Sequence, residues 1–127
     1  IKKISQYNES KVTNLLNNSG IVRNRLKINA TITNAQAYFE LCKEYKSLDN
    51  YLWSHVTHKK PIVSSGTERI ITSNLSDTIS KDLKKRGFKF VGSTIIYAYL
   101  QAIGVVNDHD VVSIYICITV IYTVYVL

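Results

Sequence analysis

The chain has 127 residues, 46% of them hydrophobic and 20% charged, with a net charge of +7. That composition is ordinary for a globular chain and sufficient for one domain with a modest core. The two cysteines, Cys42 and Cys117, form no CxxC pair, which excludes a disulfide framework or a zinc knuckle and leaves a reducing, intracellular compartment as the expectation.

The positive balance favours a polyanionic partner, nucleic acid or an acidic membrane surface, without choosing between them. The opening residues IKKISQYNES carry no apolar stretch of the signal-peptide kind. With no methionine anywhere, the chain is expected to be a fragment whose N-terminus was lost or processed.

In chain order, residues 9–18 place Val12, Leu15 and Leu16 at helical spacing, with Asn8 or Ser10 as cap and Gly20 as stop. From Arg23 to about Tyr45 runs the longest helical pattern, and Ile28, Ile32, Ala35, Phe39 and Cys42 trace one stripe along it. Cys42 on that stripe reads as a buried small hydrophobe. Ser47 caps a third helix, 49–56, in which Leu48, Leu52, Trp53 and Val56 share a face and Trp53 is core. His55 and His58 have no carboxylate or cysteine at ligand spacing and read as surface histidines. Residues 57–74, with the only proline (Pro61), form an irregular surface loop.

Next comes KDLKKRGFKFVGSTIIYAYLQAIG (81–104). Ser76 or Asp77 is expected to cap its first helix, with Ile79 and Leu83 inward. Lys81, Lys84, Lys85, Arg86 and Lys89 face a single anion, Asp82, within 81–92. Gly87 and Gly92 bound a turn, where glycine permits positive φ or the close approach of a ligand. Ser93 and Thr94 stand at the N-cap of a second helix carrying Ile95, Ile96, Tyr99, Leu100 and Ile103, ended by Gly104. Free N–H groups at that end, ringed by cations, suit a phosphate. The simpler alternative is a helical hairpin with a solvated basic face. The pattern as a whole predicts an all-α domain.

The string KKRGFKFVGSTI (84–95) resembles the helix-hairpin-helix segment of the 3-methyladenine DNA glycosylase I family; IVRNRLKI (21–28), YLWSHV (51–56) and NDH (107–109) are similar to that family in the same order. The resemblance covers about residues 3–110. It implies a DNA glycosylase of base excision repair, an enzyme that hydrolyses the N-glycosidic bond of flipped-out N3-methyladenine in double-stranded DNA, working as a monomer. It implies DNA binding by Lys84, Lys85, Arg86, Gly87, Phe88, Lys89, Phe90, Gly92, Ser93 and Thr94. The family's acidic pocket residue and most of its aromatics precede the matched stretch, so the catalytic residues are unknown and the fragment is expected to be impaired. Asp108 is open to two readings, a helix cap or the place where many other helix-hairpin-helix glycosylases carry a catalytic aspartate.

The family also carries zinc. His109 matches one ligand, but Ser113 stands where a cysteine is expected, Cys117 lies further on, and the N-terminal ligand pair is absent, so a stable zinc site is not expected. Residues 111–127 form a tail without charge, glycine or proline. It is expected to be an aberrant segment outside the partial glycosylase domain of residues 1–110, read as a frame-shift product rather than a membrane anchor. Two alternatives stay open: a non-catalytic helix-hairpin-helix DNA-binding module, and a basic protein tethered to a membrane through 111–127.

Overall fold

Asparagine and serine set the helix starts. The structure, a computed structural model, describes residues 1–57, 62–63 and 70–107. After a short α1 (Lys2–Ser5), Asn8 starts α2 (Glu9–Leu16) by accepting from Lys11 N, and Asn24 starts α3 (Arg25–Tyr45) by accepting from Lys27 N. Ser47 starts α4 (Leu48–Ser54) in the same way, through Asn50 N. Each cap is extended and satisfies an amide that the helix cannot.

Ser73 starts α5 (Asn74–Lys85), not the expected Ser76 or Asp77. Ser73 Oγ accepts from Ser76 N at 3.1 Å, and Ser76 Oγ accepts from Ser73 N at 2.8 Å, a reciprocal capping box. Ser76 is therefore a buried residue of the first turn rather than a cap. Last comes α6 (Ser93–Ala102). Strands β1 (Ile62–Val63) and β2 (Val106–Asn107) make a two-residue parallel bridge with Ile62 opposite Val106. It adds a short extended pair to an otherwise all-α fold, with β1 inside the segment 57–74 that the sequence suggests is loop.

Two similar devices end α5 and α6. Gly87 (φ 91) and Gly104 (φ 76) are left-handed just past the helices. Phe88 N then bonds Leu83 O, and Val105 N bonds Leu100 O, each the bond of wider sequence span in the pair that satisfies the last carbonyls. Phe88 and Val105 both fold back on the core, which Leu41, Tyr51, Leu52, Ile79, Ile96 and Leu100 fill. Each such side chain contributes about 1.5–3 kcal/mol relative to exposure.

Helix α3 departs from its expected stripe. Ile28 and Ala35 are buried as predicted, but Phe39 is exposed and Ile32 and Cys42 are half-buried. Ala30, Ala37 and Leu41 are buried on a second line. The helix is covered on more than one side, touching α1, α2 and α4, so a single stripe cannot describe it. His55 also differs from the surface reading: it is half-buried, edge-on to Tyr51 at 4.9 Å, and its Nε2 meets no partner among the described residues. No helix among the described residues is long and apolar enough to cross a membrane. His58, Asp108, His109 and the tail 111–127 lie outside the described residues.

Candidate nucleic-acid interface

The basic segment unites α5, the turn 86–92 and α6, and α5 and α6 pack on each other. Helix α5 turns Ile79 and Leu83 into the core, as expected, and leaves Lys81, Lys84 and Lys85 exposed. Its buried face also carries two serines, and both serve the turn. Ser80 Oγ donates to Val91 O at 2.6 Å, and Ser76 Oγ pairs with Ser93 Oγ at 2.8 Å. A third clamp comes from α3. Asn34 Oδ1 accepts from Lys89 N at 2.7 Å, while Asn34 Nδ2 donates to Lys89 O at 3.0 Å.

Held this way, the turn presents backbone rather than side chains. Helix α6 begins at Gly92 with no side-chain cap, in contrast to the capped α2 to α5. The N–H groups of Phe90 through Ile95 meet no acceptor among the described residues. Ser93 is the first helical residue and bonds inward to Ser76, so it is not the expected cap; Thr94 is exposed in the first turn. Gly92 does not have a glycine-only backbone, since its φ is −65. What it offers is room: a Cβ there would meet nothing within 4 Å. Of the turn's two glycines, Gly87 alone needs its glycine for conformation.

Beside Gly92 lies a groove of about 510 Å³ between α3 and α6, with Lys27, Thr31 and Asn34 on one wall and Phe90 and Ile95 on the other. Lys89 and Phe90 are exposed at the turn tip. Lys89 thus lies close in the chain to the amide end of α6, Lys27 arrives beside Gly92 from α3, and Lys84 and Lys85 are exposed on the last turn of α5.

Two residues of the expected DNA-binding set turn their side chains inward. Phe88 is partly buried against the core. Arg86 turns inward, its Nε on Asp82 Oδ2 at 2.7 Å and its Nη1 on Glu44 Oε2 at 2.6 Å. Its guanidinium lies over the rings of Tyr45 and Tyr51, 5.1 and 5.6 Å from their centroids. Two carboxylates outweigh its single charge, so the guanidinium is engaged within the fold.

The network sets its own proton affinities. Burial pushes Asp82 upward, but hydrogen bonds from Arg86 and Tyr51 outweigh it and hold the carboxyl below its ordinary value. The Arg86 bond likewise lowers Glu44. Burial, then the bond to Asp82, raises Tyr51, whose hydroxyl donates to Asp82 Oδ2 at 2.9 Å. All of these groups keep their ordinary charge at neutral pH.

The sequence reading gives no role to Asn34, Ser80 or Tyr51, and takes Ser76 only for a helix cap. Serines 76 and 80 share the face of Ile79 and Leu83, and polar groups on a buried face are a readable signal. Asn34 has no such signal, because its partner is 55 residues away. A metal needs several donors together, and no group of three or more His, Cys, Asp or Glu residues suits one among the described residues.

The comparisons agree with this architecture. The methyladenine glycosylase family profile matches residues 1–116, reaching into the first residues of the apolar tail. The chain is 42% identical over 111 residues to DNA-3-methyladenine glycosylase 1 of Escherichia coli (strain K12), covering 86% of this chain and 59% of that protein. It is 39% identical over 111 residues to DNA-3-methyladenine glycosylase of Haemophilus influenzae, covering 85% and 60%. The solved 3-methyladenine DNA glycosylase I of Staphylococcus aureus, described for its recognition of 3-methyladenine, superposes with a TM-score of 0.81 at 31% identity, over 87% of this chain and 60% of that one. The chain therefore spans about three-fifths of the length of these relatives. With a profile match over nearly all its length and the same helical frame, it belongs to the methyladenine glycosylase family.

Proposed function

We propose that this chain supplies the DNA-gripping part of a DNA-3-methyladenine glycosylase, with α5, the turn and α6 acting as a helix-hairpin-helix on the phosphate backbone of a duplex. The observation that carries it is the uncapped start of α6, where consecutive free amides and the open space at Gly92 follow exposed Lys89, with Lys84 and Lys85 exposed at the end of α5. Backbone amides and lysines hold phosphates without reading bases, as a repair enzyme needs when damage arises in any sequence. The reaction is hydrolysis of the N-glycosidic bond of a flipped N3-methyladenine, whose positive charge makes the base a good leaving group. The carboxylates in the described aromatic cluster, Asp82 and Glu44, are bound to Arg86, so that cluster is no pocket for a cationic base. The catalytic carboxylate is assigned to none of the described residues, and the chain is proposed to act on DNA as a monomer in an intracellular, DNA-associated setting.

No group of donors among the described residues fits zinc. Fluorescence anisotropy with a labelled duplex tests the grip. Binding in the range of about 10⁻⁴ to 10⁻⁶ M, indifferent to sequence and falling steeply with salt, is expected. Salt-insensitive or absent binding overturns the assignment. Release of free 3-methyladenine from alkylated duplex is the separate test of the reaction.

A further inference from the structure

Phe90 is the turn residue that its own neighbours explain least. At φ 58 it is left-handed, a conformation that glycine takes freely and a bulky side chain avoids. The residue is 59% exposed, so packing of the side chain is a weak reason for the strain. The compensation sits on either side of it. Before it, the Asn34 side-chain amide satisfies both polar groups of Lys89 at once, accepting from its N–H and donating to its C=O. After it, Ser80 Oγ donates to the carbonyl of Val91. Phe90 is the single residue between two clamps, and the backbone passes from one to the other through a left-handed φ.

We propose that Asn34 is a positioning residue for the phosphate site, a role that rests on the phosphate-binding reading of this turn: by fixing Lys89, it keeps Phe90 left-handed and aims the amides of Val91 to Ile95 in one direction. Once Lys89 is released, Phe90 relaxes to negative φ. That rotates the peptide after it and carries the Val91 and Gly92 N–H groups out of line. The binding-competent turn becomes a minor conformer, and apparent affinity falls in proportion to its population. The intrinsic bias of non-glycine residues against this region makes the loss about tenfold. With Phe90→Gly both signs of φ are accessible, and the same release costs only about twofold.

The test is a double-mutant cycle on the full 127-residue chain. Asn34→Ala and Phe90→Gly are made alone and together and titrated against a fluorescein-labelled duplex of arbitrary sequence. Asn34→Ala is expected to weaken binding about tenfold in the parent and about twofold beside Phe90→Gly. The salt dependence stays unchanged, because no cation is removed. A purely structural role would lower the melting temperature while leaving the affinity of the folded protein alone, which overturns the proposal. Equal losses in both backgrounds overturn it too. Ser80→Ala releases the second clamp with the loss of one atom and should show the same dependence on residue 90, so an Asn34→Ala chain that fails to fold leaves a decisive measurement. Binding that is weakened by Gly92→Ala but untouched by Asn34→Ala and Ser80→Ala sinks the positioning role alone. A parent chain that ignores the duplex sinks the phosphate reading itself, and this role with it.

Discussion

The two glycines of the turn should respond in opposite ways to one added methyl group. At Gly92 the backbone (φ −65, ψ 156) suits any residue, and a Cβ meets nothing within 4 Å. Alanine is a poorer helix cap than glycine, but it also removes about 0.4–1 kcal/mol of unfolded-state freedom, so Gly92→Ala should change stability by no more than about 0.5 kcal/mol. On the proposed reading, the methyl group projects where a phosphate oxygen approaches the free amides. Loss of even one charge-assisted hydrogen bond, about 1.5–3 kcal/mol, lowers duplex affinity roughly 10- to 100-fold. At Gly87 the Cβ also meets open space, but φ is 91. Gly87→Ala should cost about 1–2 kcal/mol of stability, several degrees of melting temperature, with little change in the affinity of the folded protein. Thermal melts and anisotropy titrations of the two variants, side by side, decide the matter. If Gly92→Ala melts like the parent and also binds like it, the amide end of α6 is not where DNA docks.

Other outcomes follow from the same geometry. Lys89→Ala should flatten the dependence of log affinity on log salt by about 0.9, one phosphate contact, in titrations at several salt concentrations. Arg86→Ala should leave that slope unchanged and cost about 2 kcal/mol or more by urea denaturation, because it leaves Asp82 without its cation and removes a side chain only 24% exposed. Asp82 is depressed in the folded state, so its contribution is present above the unfolded carboxylate range and is lost as pH falls through the folded value. The stability gap between the parent and Asp82→Asn should therefore narrow below about pH 4, and a gap constant from pH 7 to pH 3 would refute the assignment.

Much of this was legible where local rules act alone. Asn8 and Ser47 cap as their positions suggest, and Gly87 and Gly104 stop their helices. The basic turn is visible because it is contiguous. The errors share a cause, which is that the sequence shows what a residue carries but not where it is directed. Ser73 and Ser76 both suit a cap, and only the burial of Ser76 makes Ser73 the start of α5. Arg86 reads as one more surface cation, although Asp82 four residues earlier is a readable hint of pairing. Glu44 and Tyr45, which complete its enclosure, are far off in the chain. The stripe on α3 fails because small alanines let the helix be approached from a second side.

That helix gives the site its physical logic. Affinity for phosphate could be raised simply by more lysines, but each flexible side chain loses up to about 2 kcal/mol of rotamer freedom when it is fixed against a ligand. Backbone amides in a turn that is already rigid lose almost none. Rigidity therefore has to come from elsewhere, and α3 provides it at two points. Asn34 holds the tip of the turn, and Glu44, ten residues on, anchors Arg86 at the end of α5. At 1.5 Å per residue these points lie about 15 Å apart, so one helix braces the hairpin from its base to its tip. In such an arrangement Arg86 contributes more as a fixed anchor than as one more mobile charge. The proposed phosphate site is then a property of α3, α5 and α6 together, although every group proposed to touch the phosphate at the turn lies within twelve consecutive residues, 84–95.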